Sequence, residues 1–193
     1  MQHLLTPYSK SIESFAWWEK AFTKEELDSL QNKAKLATEE AKVGAGNNAV
    51  INSDVRRAEI KGLGNSSENK WIYEKLSSVV SSLNVQFFNF DLIGFGEDIQ
   101  LTNYHENKQG NYTWHQDFGN GVSRKLSLVL QLSEPTEYEG GELQLLTNKT
   151  PIIMKKERGL ITVFPAWTLH QVTPVVKGTR QSLVAWVSGP EFK

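Results

Sequence analysis

The chain has 193 residues, a length that suits one well-buried domain better than two independent ones. Its formal net charge of −1 and its pI near 6.4 predict no general attraction to nucleic acid or to an anionic membrane. There is no cysteine, which excludes disulfides, zinc–thiolate sites, iron–sulfur clusters and thiol nucleophiles. We therefore expect a single domain over residues 1–193.

The beginning of the sequence carries no recognisable targeting signal. The stretch "MQHLLTPYSKSIESFAWWEK" has neither a basic leader nor an apolar core of signal-peptide length. No apolar run in the sequence reaches the span of a membrane helix. These patterns predict a soluble, cytoplasmic protein without membrane contact.

A first amphipathic helix is predicted within residues 23–42. Thr23 stands three positions before Glu26, which is the spacing of a capping box. Apolar residues then follow at roughly helical intervals. The pattern favours a helix that begins at this threonine.

A second amphipathic helix is predicted within residues 66–84, where Leu76, Val79 and Leu83 can share one face. Residues 43–65, between the two helices, are rich in glycine and asparagine and poor in helical periodicity. This segment is predicted to be irregular, and irregular segments of that length are either functional or disordered.

From residue 85 onward the sequence becomes a series of short apolar, β-branched or aromatic runs separated by turns. About eight strands at such spacing indicate an antiparallel barrel or sandwich, and a jelly roll has that strand count. We predict a mainly β fold with N-terminal helices, in which residues 1–84 form a helical support and loop region and residues 85–193 form a double-stranded β-helix, or jelly-roll, core. The runs are "VQFFNFDLIGF", "DIQLTNYHE", "YTWHQDF", "KLSLVLQLS", "GELQLLT", "TPIIMK", "GLITVFP", "LHQVTPV" and "RQSLVAWVS".

The stretch "YTWHQDFGNG" places His115 and Asp117 two residues apart. On an extended strand these two side chains leave from the same face. An imidazole beside a carboxylate suits a metal ion if a third ligand arrives from elsewhere. Taken alone, the pair is equally consistent with a hydrogen-bonded histidine of the core, which is the commoner arrangement.

A second histidine, an arginine and a serine extend this pattern. His170 lies in "FPAWTLHQVTPV", and Arg180 follows in "GTRQSLVAW" with Ser182 on the same strand face. In order, "HQD", "LH" and "RQS" resemble the H-x-D…H…R-x-S motif of the Fe(II)/2-oxoglutarate-dependent dioxygenases. The resemblance covers residues 85–188 and is closest to the prolyl 4-hydroxylase-like branch, including its bacterial and viral members. The stretch "SDVRRAEI" is similar to the upstream arginine-containing segment of that family.

The resemblance implies that His115, Asp117 and His170 bind Fe(II). Two neutral imidazoles and one carboxylate on one face of the ion leave three adjacent coordination positions open. The resemblance also implies 2-oxoglutarate as cosubstrate and O2 as oxidant, and it leaves ascorbate open as a further cofactor. Arg180 is assigned to the far carboxylate of 2-oxoglutarate, because a guanidinium binds a carboxylate through two parallel hydrogen bonds, and Ser182 is expected to assist it.

Three further residues are candidates by their position in the motif. Tyr104 resembles a family tyrosine whose phenol reaches the cosubstrate, although a buried tyrosine can satisfy its hydroxyl with any nearby acceptor. Gln131 stands where several prolyl hydroxylases carry a second cosubstrate-binding tyrosine, and its amide could bind 2-oxoglutarate or a water if it faces inward. Tyr112 could form a wall of the pocket, contact the substrate or pack in the core.

The resemblance implies a dioxygenase that hydroxylates a C–H bond and releases succinate and CO2, with a prolyl residue of a protein or peptide as the favoured target. A dioxygenase acting on a small molecule or on another amino-acid side chain stays open, as does a non-catalytic jelly-roll binding module. Nucleic acid is not expected, because the charge is balanced and the second arginine of alkylated-base demethylases is not evident after Arg180. Specificity is expected to lie in residues 43–65 and 105–111.

Overall fold

The computed structural model describes a mainly β protein, as the strand-rich pattern predicted. Residues 1–11, on which the leader prediction partly rests, lie outside the described residues, as do residues 45–48 of the predicted irregular segment and residues 119–121 of the histidine–aspartate stretch. The described residues are 12–44, 49–118 and 123–191.

Fourteen β-strands are formed by the described residues, and they begin well before residue 85. In chain order they are β1 (Ala16–Trp18), β2 (Glu39–Glu40), β3 (Arg56–Arg57), β4 (Glu59–Leu63), β5 (Gly94–Phe95), β6 (Ile99–His105), β7 (Asn111–His115), β8 (Arg124–Gln131), β9 (Tyr138–Gly140), β10 (Leu143–Leu146), β11 (Ile152–Ile153), β12 (Ile161–Pro165), β13 (Leu169–Val172) and β14 (Val175–Ser188).

These strands form two sheets. The larger sheet has nine strands in the order β1-β12-β8-β14-β6-β4-β2, with β5 and β9 paired to β14 off this path. The smaller sheet has five strands in the order β11-β10-β13-β7-β3. Each sheet contains neighbours that are distant in the chain, so the two histidine-bearing strands, β7 and β13, lie side by side.

The prediction of an irregular segment over residues 43–65 is wrong in its second half. Strand β4 pairs antiparallel with β6 from Glu59 opposite Asn103 to Leu63 opposite Ile99, and β3 pairs with β7. A short strand on the edge of a sheet gains its hydrogen bonds from a distant partner, so its own composition gives little sign of it. The N-terminal region therefore contributes strands to both sheets as well as helices.

The first helix, α1 (Lys24–Ala34), begins as predicted but ends eight residues before the predicted limit of 42. Thr23 is the N-cap: its side chain accepts a hydrogen bond from the backbone of Glu26, whose carboxylate accepts from the backbone of Thr23. Beyond the helix, β2 pairs with β4. The pairing of β2 with β4 thus outweighs the helical preference of the residues after Ala34, because intrinsic helix propensity is weak beside tertiary contacts.

The second helix, α2 (Lys70–Leu83), continues into a π-helical turn (Asn84–Phe88), where the sequence predicted the start of a strand. Asn89 ends the turn in a left-handed conformation with φ of 56°. The asparagine side chain tolerates this conformation better than most residues do. The face of α2 that packs against the protein carries Ile72, Tyr73, Leu76, Val79, Val80 and Leu83.

Two hydrophobic clusters divide the interior. The first lies between the helices and one face of the nine-stranded sheet, and the second lies between the two sheets. Alternation along β14 separates them: Leu183 and Ala185 join the first cluster, whereas Arg180, Ser182 and Trp186 line cavities on the other face. Arg180 and Ser182 therefore point into the space between the sheets, whereas Gln181 lies on the helix side and bonds to Asn103.

Among the helices that the structure describes, none combines the length and apolar character needed to cross a lipid bilayer.

Candidate active site

The cluster His115, Asp117 and His170 assembles between the sheets. His115 ends β7 and lies directly opposite His170 of β13 in the strand register. Asp117 follows β7, and its backbone N–H donates to the carbonyl of Ala166 at 2.9 Å. One ligand atom from each of the three side chains lies within 4.8 Å of the others. The sequence separation of 55 residues between the histidines, from 115 to 170, is thus closed by one strand pair.

Both histidine rings are held by carbonyls close by in the chain. Nδ1 of His115 donates to the carbonyl of Thr113 at 2.7 Å, and Nδ1 of His170 donates to that of Thr168 at 2.8 Å. A proton on Nδ1 leaves the lone pair on Nε2 free for a metal. The two Nε2 atoms lie 3.7 Å and 3.5 Å from the carboxylate oxygens of Asp117.

Asp117 is buried and oriented by two other side chains. The hydroxyl of Ser127 donates to its carboxylate at 2.6 Å, and Arg124 donates to its backbone carbonyl at 3.4 Å. Burial opposes ionisation of the carboxyl, but His170, His115 and Ser127 outweigh it and hold the pKa of Asp117 below its usual range. The carboxylate is therefore ionised and fixed in position at neutral pH.

This donor set fits Fe(II). Burial, reinforced by the neighbouring His170, lowers the pKa of His115 to about 3, so its imidazole is neutral at physiological pH. A neutral imidazole, a second imidazole and a carboxylate converging on one point match the two-histidine, one-carboxylate arrangement of non-haem iron. The structure thus brings together the three residues that the sequence motif selected.

The lowered pKa of His115 makes the stability of the metal-free protein dependent on pH. Below about pH 6.5 the unfolded chain takes up a proton on His115 that the folded protein rejects until about pH 3. We expect the free energy of unfolding to fall by up to about 1.4 kcal/mol for each pH unit across this window. Urea unfolding at pH 7, 6 and 5 measures the slope, and His115→Gln should flatten it. An equal slope in that variant would contradict the assignment.

Arg180 is buried at the far end of the same cavity, with 1% of its surface exposed. Its Nη1 donates to Ser182 at a long 3.4 Å, while Nε and Nη2 have no acceptor. Its register partner on β6 is Tyr104, whose ring centre lies 5.4 Å from the guanidinium carbon. A buried cation with unused donors requires an anionic ligand, because an uncompensated charge in the interior is costly.

Tyr138 is a neighbour of Arg180 that the sequence motifs did not predict. Tyr138 is buried on β9 and its hydroxyl has no acceptor or donor partner. Burial raises the pKa of Tyr138, while the positive charge of Arg180 opposes that rise. Gly141, with φ of 56°, permits the approach, since a side chain there would meet the Arg180 Cδ at 3.1 Å. The glycine pair after Tyr138 was the available signal.

The remaining candidates lie on the inner faces of the sheets. Gln131 is buried opposite Ser182 in the register, and its carbonyl oxygen has no donor, but it does not line the cavity that holds the three metal-ligand candidates. Tyr112 does line that cavity, and its ring stacks on His115 with centres 3.4 Å apart. Burial raises the pKa of Tyr112 to about 12, so its phenol stays protonated.

A groove of about 850 Å³ leads from the protein surface to Asp117. Its lining includes Arg56 and Ala49 from the segment 43–65, as the loop prediction required, whereas no residue of the segment 105–111 lines it among the described residues. The sequence analysis also missed Arg124 and Glu97, which form a two-pronged ion pair at 2.7 Å and 2.5 Å on the groove wall. No motif linked these two residues.

Comparison with known proteins supports the family that the sequence motif suggested. Residues 99–188, just under half of the chain, match the family model of the 2OG-Fe(II) oxygenase superfamily. The matched range contains all of the site residues selected from the sequence motif, and the 2OG-Fe(II) oxygenase region carries the His115, Asp117 and His170 cluster with donor chemistry suited to Fe(II).

Individual relatives align with only a part of this chain in sequence, whereas solved structures match most of it in fold. A PKHD-type hydroxylase of Synechococcus sp. is 40% identical over 62 residues, which are 32% of this chain and 28% of that protein. The alignment therefore spans less than a third of the curated relative.

Solved structures resemble the chain over most of its length. A prolyl-4-hydroxylase from Pseudomonas putida gives a TM-score of 0.70 at 18% identity, covering 92% of this chain and 94% of that one. A prolyl hydroxylase from Trichoplax adhaerens, solved with a peptide of hypoxia inducible factor, gives 0.74 at 17% identity, covering 91% and 84%. At these identities the likeness concerns the fold.

Proposed function

We propose that the protein is an Fe(II)- and 2-oxoglutarate-dependent dioxygenase that hydroxylates a C–H bond. The observation that carries this proposal is the shared cavity: the His-Asp-His cluster and the buried Arg180, two of whose nitrogens lack an acceptor among the described residues, line the same space. Metal binding alone does not require such an arginine. A cosubstrate with a metal-binding end and a distant carboxylate satisfies both ends.

We assign Fe(II) to His115, Asp117 and His170. Iron, 2-oxoglutarate and O2, when bound, supply the oxidising chemistry and yield succinate and CO2 as coproducts. The chain contributes positioning: the carbonyls of Thr113 and Thr168 orient the two rings, and Ser127 fixes the carboxylate.

Arg180 is the proposed anchor of the distal carboxylate of 2-oxoglutarate. Ser182 and Tyr104 flank it and are the proposed hydrogen-bond partners of the same carboxylate. Gln131 takes the place of a second tyrosine one register row away, where its amide would act through a water. Tyr112, stacked on His115, is proposed to contact the substrate where the groove meets the metal ligands.

A prolyl residue of a protein or peptide is the proposed substrate. The fold likeness to prolyl hydroxylases and the open groove of about 850 Å³ support it. A small molecule or another amino-acid side chain is the second candidate. The positive charges of Lys42 and Arg56, which line part of the groove, favour it. We further propose one catalytic domain with a jelly-roll core, located in the cytoplasm, with ascorbate as an optional reductant.

Mass spectrometry of peptides tests the proposed function. The protein is incubated with Fe(II), 2-oxoglutarate, O2 and a library of proline-containing peptides, each matched by a peptide with alanine in place of proline. A gain of one oxygen in the proline peptides alone, with stoichiometric succinate, is the expected result. Succinate without any oxygen gain in the library would reject the prolyl substrate, and no succinate under any condition would reject the dioxygenase.

A further inference from the structure

Arg56 on β3 is a second buried cation without a carboxylate partner. Arg56 is 9% exposed, and its Nε has no acceptor among the described residues. Nη1 donates to the backbone carbonyl of Lys42 at 3.2 Å. Within the described parts of the chain, no carboxylate oxygen lies within 4.0 Å of the Arg56 guanidinium, the limit for an ion pair. Among the described residues, Arg56 therefore has a backbone carbonyl and an aromatic ring as partners but no anionic counterion.

Other arginines show what a satisfied guanidinium looks like in this protein. Arg57, the next residue on the same strand, is half-buried, makes no ion pair among the described residues, and donates from Nε to Asn111 at 2.8 Å, so that solvent can reach the rest of its guanidinium. Arg124 forms the two-pronged pair with Glu97. Arg158 donates to Asp28 at 2.7 Å. An unpaired charge that is buried costs more than a paired one, so an arginine retained without an acceptor indicates that a ligand supplies it.

The position of Arg56 places that ligand next to the metal-ligand cluster. Arg56 lines both the open groove and the small cavity that contains His115 and Asp117. Its guanidinium carbon lies 4.7 Å from the centre of the Tyr112 ring, which in turn stacks on His115. Arg180 reaches the same cavity from the opposite sheet, so the two arginines serve different ends of the site.

The charges around Arg56 favour an anion. Lys42 lines the groove beside it and adds positive charge. Three acids line the groove: Glu97 is engaged by Arg124, Asp117 belongs to the cluster that would hold the metal, and Glu39 makes no ion pair with Arg56 among the described residues. A guanidinium binds a carboxylate through two parallel, charge-assisted hydrogen bonds. A neutral carbonyl would leave the charge without a counterion.

We infer that Arg56 binds a carboxylate of the substrate and thereby places the target C–H bond at the metal-ligand cluster. This inference rests on the proposed function. It makes Arg56 a specificity-determining residue that selects a substrate with a free carboxylate near the reacting carbon. A free amino acid and the last residue of a peptide share this chemistry.

Pairs of ligands that differ only in carboxylate or carboxamide test the inference without turnover. The protein is loaded with zinc(II), which has no redox chemistry, and with saturating 2-oxoglutarate, which occupies Arg180. N-acetyl-L-proline and N-acetyl-L-leucine are titrated, each beside its amide, and the arginine Nε–H signals are followed by nitrogen-15 NMR. The signal of Arg56 is identified by its loss in Arg56→Lys.

Each acid is expected to bind about 10- to 100-fold more tightly than its amide and to shift the Arg56 signal, as charge-assisted hydrogen bonds would require. Arg56→Gln should remove the preference, while Arg57→Gln, changed at the adjacent satisfied arginine, should keep it. Equal binding of acid and amide would overturn the inference. So would an Arg56 signal that does not shift when the acid binds to the unmodified protein, and this readout does not require the variants to fold.

The two ligand pairs separate this inference from the proposed function. If the acid binds more tightly than the amide in both pairs, the role of Arg56 is supported, whether the ligand carries a proline or a leucine side chain. A preference for proline over leucine bears on the prolyl substrate alone. Dipeptides that end in proline, with free or amidated ends, then distinguish a peptide terminus from a free amino acid as the source of the carboxylate.

Discussion

Alanine in place of His115 or His170 is expected to abolish 2-oxoglutarate turnover while leaving the fold intact. Each histidine is one of the three proposed metal ligands that the described residues bring together, and its Nε2 faces Asp117. Loss of a residue that merely supports a metal ligand already costs 10- to 100-fold in affinity or activity. Removal of a ligand itself should therefore leave less than about 1% of the succinate production.

His105→Ala is the matched control for this prediction. His105 is also hydrogen-bonded, to Thr179 at 3.1 Å and Glu59 at 3.2 Å, but it lies outside the metal-ligand cluster. It should retain turnover. Succinate production and anaerobic titration with Fe(II) are measured together, with circular dichroism as the check on folding. Full succinate production by His170→Ala would remove this histidine from the metal site.

Arg180→Ala is expected to weaken 2-oxoglutarate binding far more than Fe(II) binding. Arg180 is 1% exposed, and two of its guanidinium nitrogens have no partner among the described residues, so a bound carboxylate would complete a buried ion pair. Removing one member of such a pair costs about 3–5 kcal/mol, or at least about 100-fold in affinity. Arg180→Lys should recover only part of the loss, because an ammonium cannot reproduce the two-pronged geometry.

Anaerobic calorimetric titration of 2-oxoglutarate into the iron-loaded variants measures this difference. Lys177→Ala is the control: it removes a positive charge three residues earlier on the same strand, where the lysine forms an exposed pair with Glu139 at 3.1 Å. It should leave the affinity unchanged. If Arg180→Ala bound 2-oxoglutarate as tightly as the unmodified protein, the carboxylate anchor would have to be another residue.

The metal-ligand cluster could be predicted from sequence because two of its members share a local spacing and the family resemblance supplied the third, His170. His115 and Asp117 are two residues apart, and Arg180 and Ser182 share the two-residue alternation of a strand. The spacing of the motifs then suggested that they meet. By contrast, Tyr138, Arg124 and Glu97 have no fixed sequence relation to the motif, because strand pairing and loop paths bring them to the site.

The strands before residue 85 were missed for a related reason. β3 has two residues and β4 has five, and neither shows the clear alternation of a half-buried strand. Their hydrogen bonds come from β7 and β6, which lie far along the chain. The end of α1 was misplaced because helical preference is weak beside a tertiary pairing of this kind.

From the sequence, strand alternation was enough to predict a mainly β fold, and the family resemblance was enough to propose three iron ligands and an arginine for a dicarboxylate. Which groups are buried without partners became visible only once the strands were assembled. His115 and His170 become neighbours through one register, and Arg56 and Arg180, on opposite sheets, become buried cations without an anionic counterion among the described residues. Burial and the absence of a counterion depend on every surrounding element at once, and no local pattern encodes them.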